Sequence, residues 1–170
     1  MVSALSPLEA KLGELYKSVP NLPENWRKSL SDFMPWLALI VGVLSLLAAW
    51  GVWGAAMIVN SAVSYTNALN SYYGAPTVAT AGWTLWLWLA LITILAEGVL
   101  YLLAFPALRA HKKMGWDLLF YGALVNLAYA IVVIFAFPVD GVGRLIGSLI
   151  GSAIGFYFLY QIRSYYAHKA

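Results

Sequence analysis

Residues 34–59 read MPWLALIVGVLSLLAAWGVWGAAMIV, a run from Met34 to Val59 without one charged side chain. As a helix rising ~1.5 Å per residue it exceeds the ~30 Å hydrocarbon core of a bilayer, so it predicts a membrane span that tilts or protrudes. Pro35 falls in the expected first turn, where proline costs little. Ala38, Gly42, Ser45 and Ala49 recur at helical spacing and give the span a face of small residues. Trp50 and Trp53 mark its far interface.

Three similar runs follow, at about Trp83 to Phe105, Trp116 to Phe137 and Val142 to Tyr160. Hydrophobic residues make up 62% of the 170 residues and charged residues 10%, against roughly 25% charged in a soluble domain. The fold class is therefore all-α: an integral membrane four-helix bundle over 34–160. An amphipathic segment, 1–33, precedes it and a basic tail, 161–170, follows. Residues 60–82 are uncharged, with Gly74-Ala75-Pro76 as a turn, and predict a long loop. Pro106 should end the second span, and Pro138-Val139-Asp140-Gly141 should make a tight return before the fourth.

In the first segment Ser6-Pro7-Leu8-Glu9 has the form of a capping box. Leu5, Leu8, Leu12, Leu15 and Val19 then share a helical face. Such a helix predicts attachment to the membrane surface, with docking of a partner as the second reading. Of the basic residues, Lys11, Lys17, Arg27, Lys28, Arg109, Lys112, Lys113, Arg163 and Lys169 fall on one side of the bundle and Arg144 alone on the other. Positive charge stays inside, so both termini are expected in the cytoplasm and the protein in the plasma (inner) membrane. Arg109, Lys112 and Lys113 are candidates for lipid head-group contact.

The fourth span carries Gly143, Gly147, Gly151 and Gly155 on one stripe. Small residues let helices approach closely, so the stripe predicts helix packing. The small face of the first span, Ala38 to Ala49, is its expected partner within the chain. A crossing near −40° should result. Glu97 is the acidic residue inside an apolar run. It lies ~12 Å from the end of its span at Phe105, and Asn126 lies ~13 Å from Asp117 on the antiparallel neighbour. Ser152 and Ser45 fall near that depth, which predicts an intramembrane polar layer of Glu97, Asn126, Ser152 and Ser45.

Cysteine is absent, which removes disulfides, thiolate metal sites and thiol nucleophiles. No catalytic, metal, cofactor or nucleic-acid signature accompanies the spans. The expected function is non-enzymatic: an assembly, scaffold or accessory subunit acting through helix packing, in a homo-oligomer or with a membrane protein partner. The alternative is a small proton-coupled transporter or channel that uses Glu97. Leu22-Pro23-Glu24-Asn25-Trp26, Asp32-Phe33-Met34-Pro35-Trp36, Gly115 to Tyr121 and Tyr160 to Tyr166 resemble segments of small four-span membrane proteins of bacteria. That resemblance implies the same architecture and brings no activity with it.

Overall fold

A computed structural model describes residues 6–78, 84–136 and 138–166, leaving aside the side chains of residues 6, 134–142 and 144. Five helices follow in order: α1 (Ser6–Lys17), α2 (Glu24–Tyr72), α3 (Leu85–Arg109), α4 (Lys113–Ala136) and α5 (Pro138–Tyr166), with no strand among the described residues. Helices α2 to α5 are long and apolar enough to cross a membrane.

Helix ends depart most from expectation. Helix α2 has 49 residues, about 74 Å, more than twice the thickness of a hydrocarbon core. The expected loop at 60–82 is therefore helical as far as Tyr72. Its polar residues do not break the helix, because Ser61 and Thr66 donate to the carbonyls of Met57 and Ala62, four residues back, at 2.9 Å each. Gly74 ends it at φ 67°. The Ala75 N–H bonds Asn70 O at 2.8 Å and the Gly74 N–H bonds Ser71 O at 3.4 Å, the paired closure that a left-handed residue permits. The chain then doubles back along α2. The Asn67 amide clasps both the N–H (2.7 Å) and the carbonyl (3.1 Å) of Val78.

Thr84 caps α3 by accepting from the Leu87 N–H at 3.3 Å, and Trp83 lies outside the described residues. Pro106 does not end α3, which runs on to Arg109. The stop comes at His111, left-handed at φ 51°. The N–H groups of His111 and Lys112 close back on Leu108 and Ala107, at 2.9 Å each. A non-glycine residue there costs about 1–2 kcal/mol, and the His111 ring is stacked on Tyr166, centroids 5.5 Å apart. Residues 138–141, expected as a turn, are the first turn of α5, with Pro138 at the first helical position. The expected tail is helical through Tyr166.

Each long helix packs along the next in sequence, whereas α2 and α5 touch much less. Glycine sets the closest approaches. A Cβ on Gly42 would lie 3.2 Å from Gly98 O, and one on Gly98 would lie 3.3 Å from Gly42 O, so α2 and α3 cross backbone to backbone. A Cβ on Gly115 would lie 2.6 Å from the backbone nitrogen of Leu108, and one on Gly122 would lie 2.6 Å from the Tyr101 ring. The continuous core gathers at the end that carries both termini. There Met34, Ala104, Leu108, Trp116, Phe120, Phe156, Ile162 and Tyr166 are buried together.

Because α2 starts at Glu24, Pro35 lies in its interior and not in a first turn. Proline has no N–H, so the carbonyl four residues back, Ser31 O, loses its helical donor. The Tyr166 hydroxyl supplies the missing bond at 2.8 Å, and both residues are fully buried. The last turn of α5 thus mends the proline break in α2.

Helix α1 is docked on α5. Tyr16 stacks on Tyr160 and its hydroxyl donates to Ala153 O at 2.9 Å. Tyr160 donates to Glu9 O at 2.7 Å, Tyr157 to Pro20 O at 2.9 Å, and Gln161 Oε1 accepts the Leu22 N–H at 3.1 Å. Glu9, expected to close a capping box, is buried and spends its carboxylate on Arg163, with Lys113 Nζ at 3.7 Å.

The glycine stripe does not meet the small face of α2. A Cβ added at Gly143, Gly147, Gly151 or Gly155 would find nothing within 4 Å. The small face of α2 is occupied instead by α3, through Gly98 and Leu102. The expected intrachain pairing, and the crossing angle argued from it, are therefore corrected. Ala38, Gly42 and Ala49 are buried, while the four glycines are exposed.

Candidate functional site: a carboxyl in the middle of the bundle

Glu97 sits at the centre of α3 (Leu85–Arg109). One turn on, Tyr101 points its hydroxyl back to Glu97 Oε1 at 3.2 Å. Gly122 makes that possible, since any Cβ there would strike the Tyr101 ring. From α4, Asn126 Nδ2 donates to Glu97 Oε2 at 3.4 Å. Each carboxyl oxygen thus has one donor, and no cation pairs with it among the described residues.

Of the expected polar layer, the structure brings Glu97 and Asn126 together and adds Tyr101. Ser45 lies on the α2/α3 seam, its Cβ 3.2 Å from the position of a Cβ on Gly98. Ser152 is half-buried on α5. Neither bonds to the carboxyl. Glu97 is half-buried and Asn126 exposed, so the pair is not sealed inside the bundle. In hydrocarbon the part of that amide not bonded to Glu97 has nothing to bond.

The candidate head-group residues divide. Lys113 is paired with Asp117 at 3.0 Å. The Arg109 guanidinium lies over Trp36 and Phe105, at 5.7 and 5.8 Å. Lys112 is exposed.

Sequence reasoning did not find the cluster that fastens α1, namely Glu9, Tyr160, Gln161 and Arg163, nor the Tyr166–Ser31 bond. One signal was available for the second: an interior proline always orphans the carbonyl four residues before it. For the first there was none, because an amphipathic pattern does not name the surface it meets. Burial raises the Tyr16 hydroxyl above its usual range, which keeps it protonated as a donor to Ala153. Among the described residues no three His, Asp or Glu side chains are grouped to hold a metal.

The chain matches no family model, no curated protein and no solved structure. The resemblance to small four-span bacterial proteins therefore stands on the quoted segments alone, and function rests on the chemistry of the fold.

Proposed function

We propose that this is an integral membrane protein with both termini in the cytoplasm. It serves non-enzymatically as an assembly subunit by receiving another membrane helix on the glycine face of α5. The observation that carries this reading is the open stripe at Gly143, Gly147, Gly151 and Gly155, with nothing within 4 Å of any added Cβ. Ile146, Leu149, Ile150 and Ile154 flank the stripe and are exposed. Lipid tails are as apolar as leucine, so helices associate in a bilayer through close packing, which small residues permit. Gly42, Gly98, Gly115 and Gly122 are already consumed by packing inside the bundle. Gly51 and Gly54 of α2 are open as well, but the α5 stripe is longer, with four glycines at every fourth residue from Gly143 to Gly155. The N-terminal segment is a weaker partner surface, because α1 is already fastened to α5.

Isolation in mild detergent followed by mass measurement tests the reading. The wild-type protein should leave the membrane as a dimer or in complex with a second membrane protein. Gly147→Leu with Gly151→Leu should return it to a monomer that remains folded. A wild-type monomer carrying no protein partner would count against it.

A second reading is favoured by one observation, the exposure of Asn126 beside a half-buried Glu97. An intramembrane carboxyl reachable from outside the bundle suits a small proton-coupled carrier or channel. On that reading Glu97→Gln abolishes proton-coupled flux in proteoliposomes while the fold persists.

A further inference from the structure

Helices α2 and α5 run antiparallel and meet at the end that carries the termini. Arg27 faces Tyr165, Ser31 faces Tyr166, and beyond them the seam opens into a cavity of about 210 Å³. Met34, Leu37 and Ala38 of α2 form one wall and Gly155, Phe158 and Leu159 of α5 the other. Leu37 and Phe158 are both partly exposed, at 37% and 38%, so the cavity opens sideways, where a bilayer would lie. The missing side chain at Gly155 keeps it open, because no atom approaches within 4 Å of where a Cβ would stand.

The polar end of the seam is also unfinished. Arg27 Nε is buried and has no hydrogen-bond partner. Its guanidinium lies over the Tyr165 ring at 5.8 Å, and no carboxylate pairs with it among the described residues. Arg27 as a whole is half-buried, so its guanidinium is not sealed, and phosphate oxygens are the acceptors its planar fork fits best. Along α2, Arg27 and Leu37 are about 15 Å apart. Leu37 lies three residues inside the apolar run that starts at Met34, so a head group at Arg27 brings the upper part of its acyl chain to the cavity.

We propose that one phospholipid of the leaflet on the side of the termini is a bound component of this protein. Its phosphate sits on Arg27 and one acyl chain fills the cavity between Leu37 and Phe158. A guanidinium whose Nε lacks an acceptor and an apolar cavity farther along the same seam are the two halves of such a site. Gly155 belongs both to this cavity and to the glycine face, so the two readings are separated by Arg27, which lies outside that face, and by scoring lipid on the monomer alone.

Native mass spectrometry of the full chain in detergent, titrated with phosphatidylglycerol, with phosphatidylcholine and with inorganic phosphate, tests it. The monomer peak is followed so that any oligomer is scored separately. Expected is retention of one phospholipid per chain, with inorganic phosphate failing to displace it. Arg27→Gln should weaken retention about tenfold, the effect of losing a charged hydrogen-bond partner. Gly155→Leu, which fills the cavity without touching Arg27, should weaken it severalfold while the melting temperature stays at the wild-type value. Phosphatidylglycerol binding more tightly than phosphatidylcholine fits a site governed by charge at Arg27. Wild-type retention in either variant would overturn the proposal, and so would displacement by inorganic phosphate alone.

Discussion

Replacing Tyr166 by phenylalanine removes one hydroxyl and leaves the ring in place. That hydroxyl is 2.8 Å from Ser31 O, and neither residue is exposed. With Pro35 in place the carbonyl has no helical donor to fall back on, so Tyr166→Phe should cost the full penalty of a buried unpaired group, about 1–3 kcal/mol. Pro35→Ala restores an N–H four residues after Ser31, and the orphan disappears. In the Pro35→Ala background Tyr166→Phe should therefore cost only ~0.5 kcal/mol, at the low end of an ordinary hydrogen bond. The coupling energy of the cycle then falls near 1–2 kcal/mol, within the range seen for residues in contact. The assay is unfolding of the four proteins in detergent micelles, followed by circular dichroism. Packing lost with the proline ring cancels in the cycle. If the two substitutions add to within ~0.5 kcal/mol, Tyr166 does not mend the proline break and the account of how α5 holds α2 is wrong.

Gly115→Ala should destabilise by about 1–3 kcal/mol, because the added methyl group meets Leu108 backbone at 2.6 Å and the backbone cannot step aside. Gly151→Ala should not lower the monomer's melting temperature, since its Cβ meets nothing and alanine favours the helix, and the two variants compared in one melt check both statements. Glu9→Gln removes the charge facing Arg163 and Lys113. It should speed tryptic cleavage after Lys11 and Lys17 severalfold without changing cleavage elsewhere, as limited proteolysis would read. For Tyr16 burial raises the folded-state pKa above the ordinary value of 10.0, so its contribution to docking α1 is complete below pH 10 and declines as pH rises beyond it. Tyr16→Phe should reduce that alkaline step in the same proteolysis assay, and the remainder falls to Tyr160, whose hydroxyl also holds α1 through Glu9 O.

The long apolar runs made four helices legible, because their hydropathy follows from composition alone. Their ends were less so. Hydropathy marks where a helix stops being apolar, and α2 stays helical past that point, since Ser61 and Thr66 bond within the helix. In sequence Pro35 and Pro106 look like helix ends, although neighbouring elements can satisfy what a proline leaves open, as Tyr166 does for Ser31. The depth of Glu97 follows from counting residues, and so does that of Asn126. Tyr101 falls one turn from Glu97 on the same face, but its bond depends on Gly122 of another helix. The glycine stripe is the sharpest case. A repeat at every fourth residue is equally regular whether its partner lies inside the chain or outside it. Only the three-dimensional arrangement assigns the small face of α2 to α3 and leaves α5 open.

The most direct test of the glycine-face account is photo-crosslinking in intact membranes from a single reactive side chain at Ile150, beside Gly151, with Ile40 on α2 as the control. Both side chains are exposed, at 57% and 50%. The account predicts a crosslinked protein species from Ile150 that is absent from Ile40. Lipid adducts alone from both positions would contradict it.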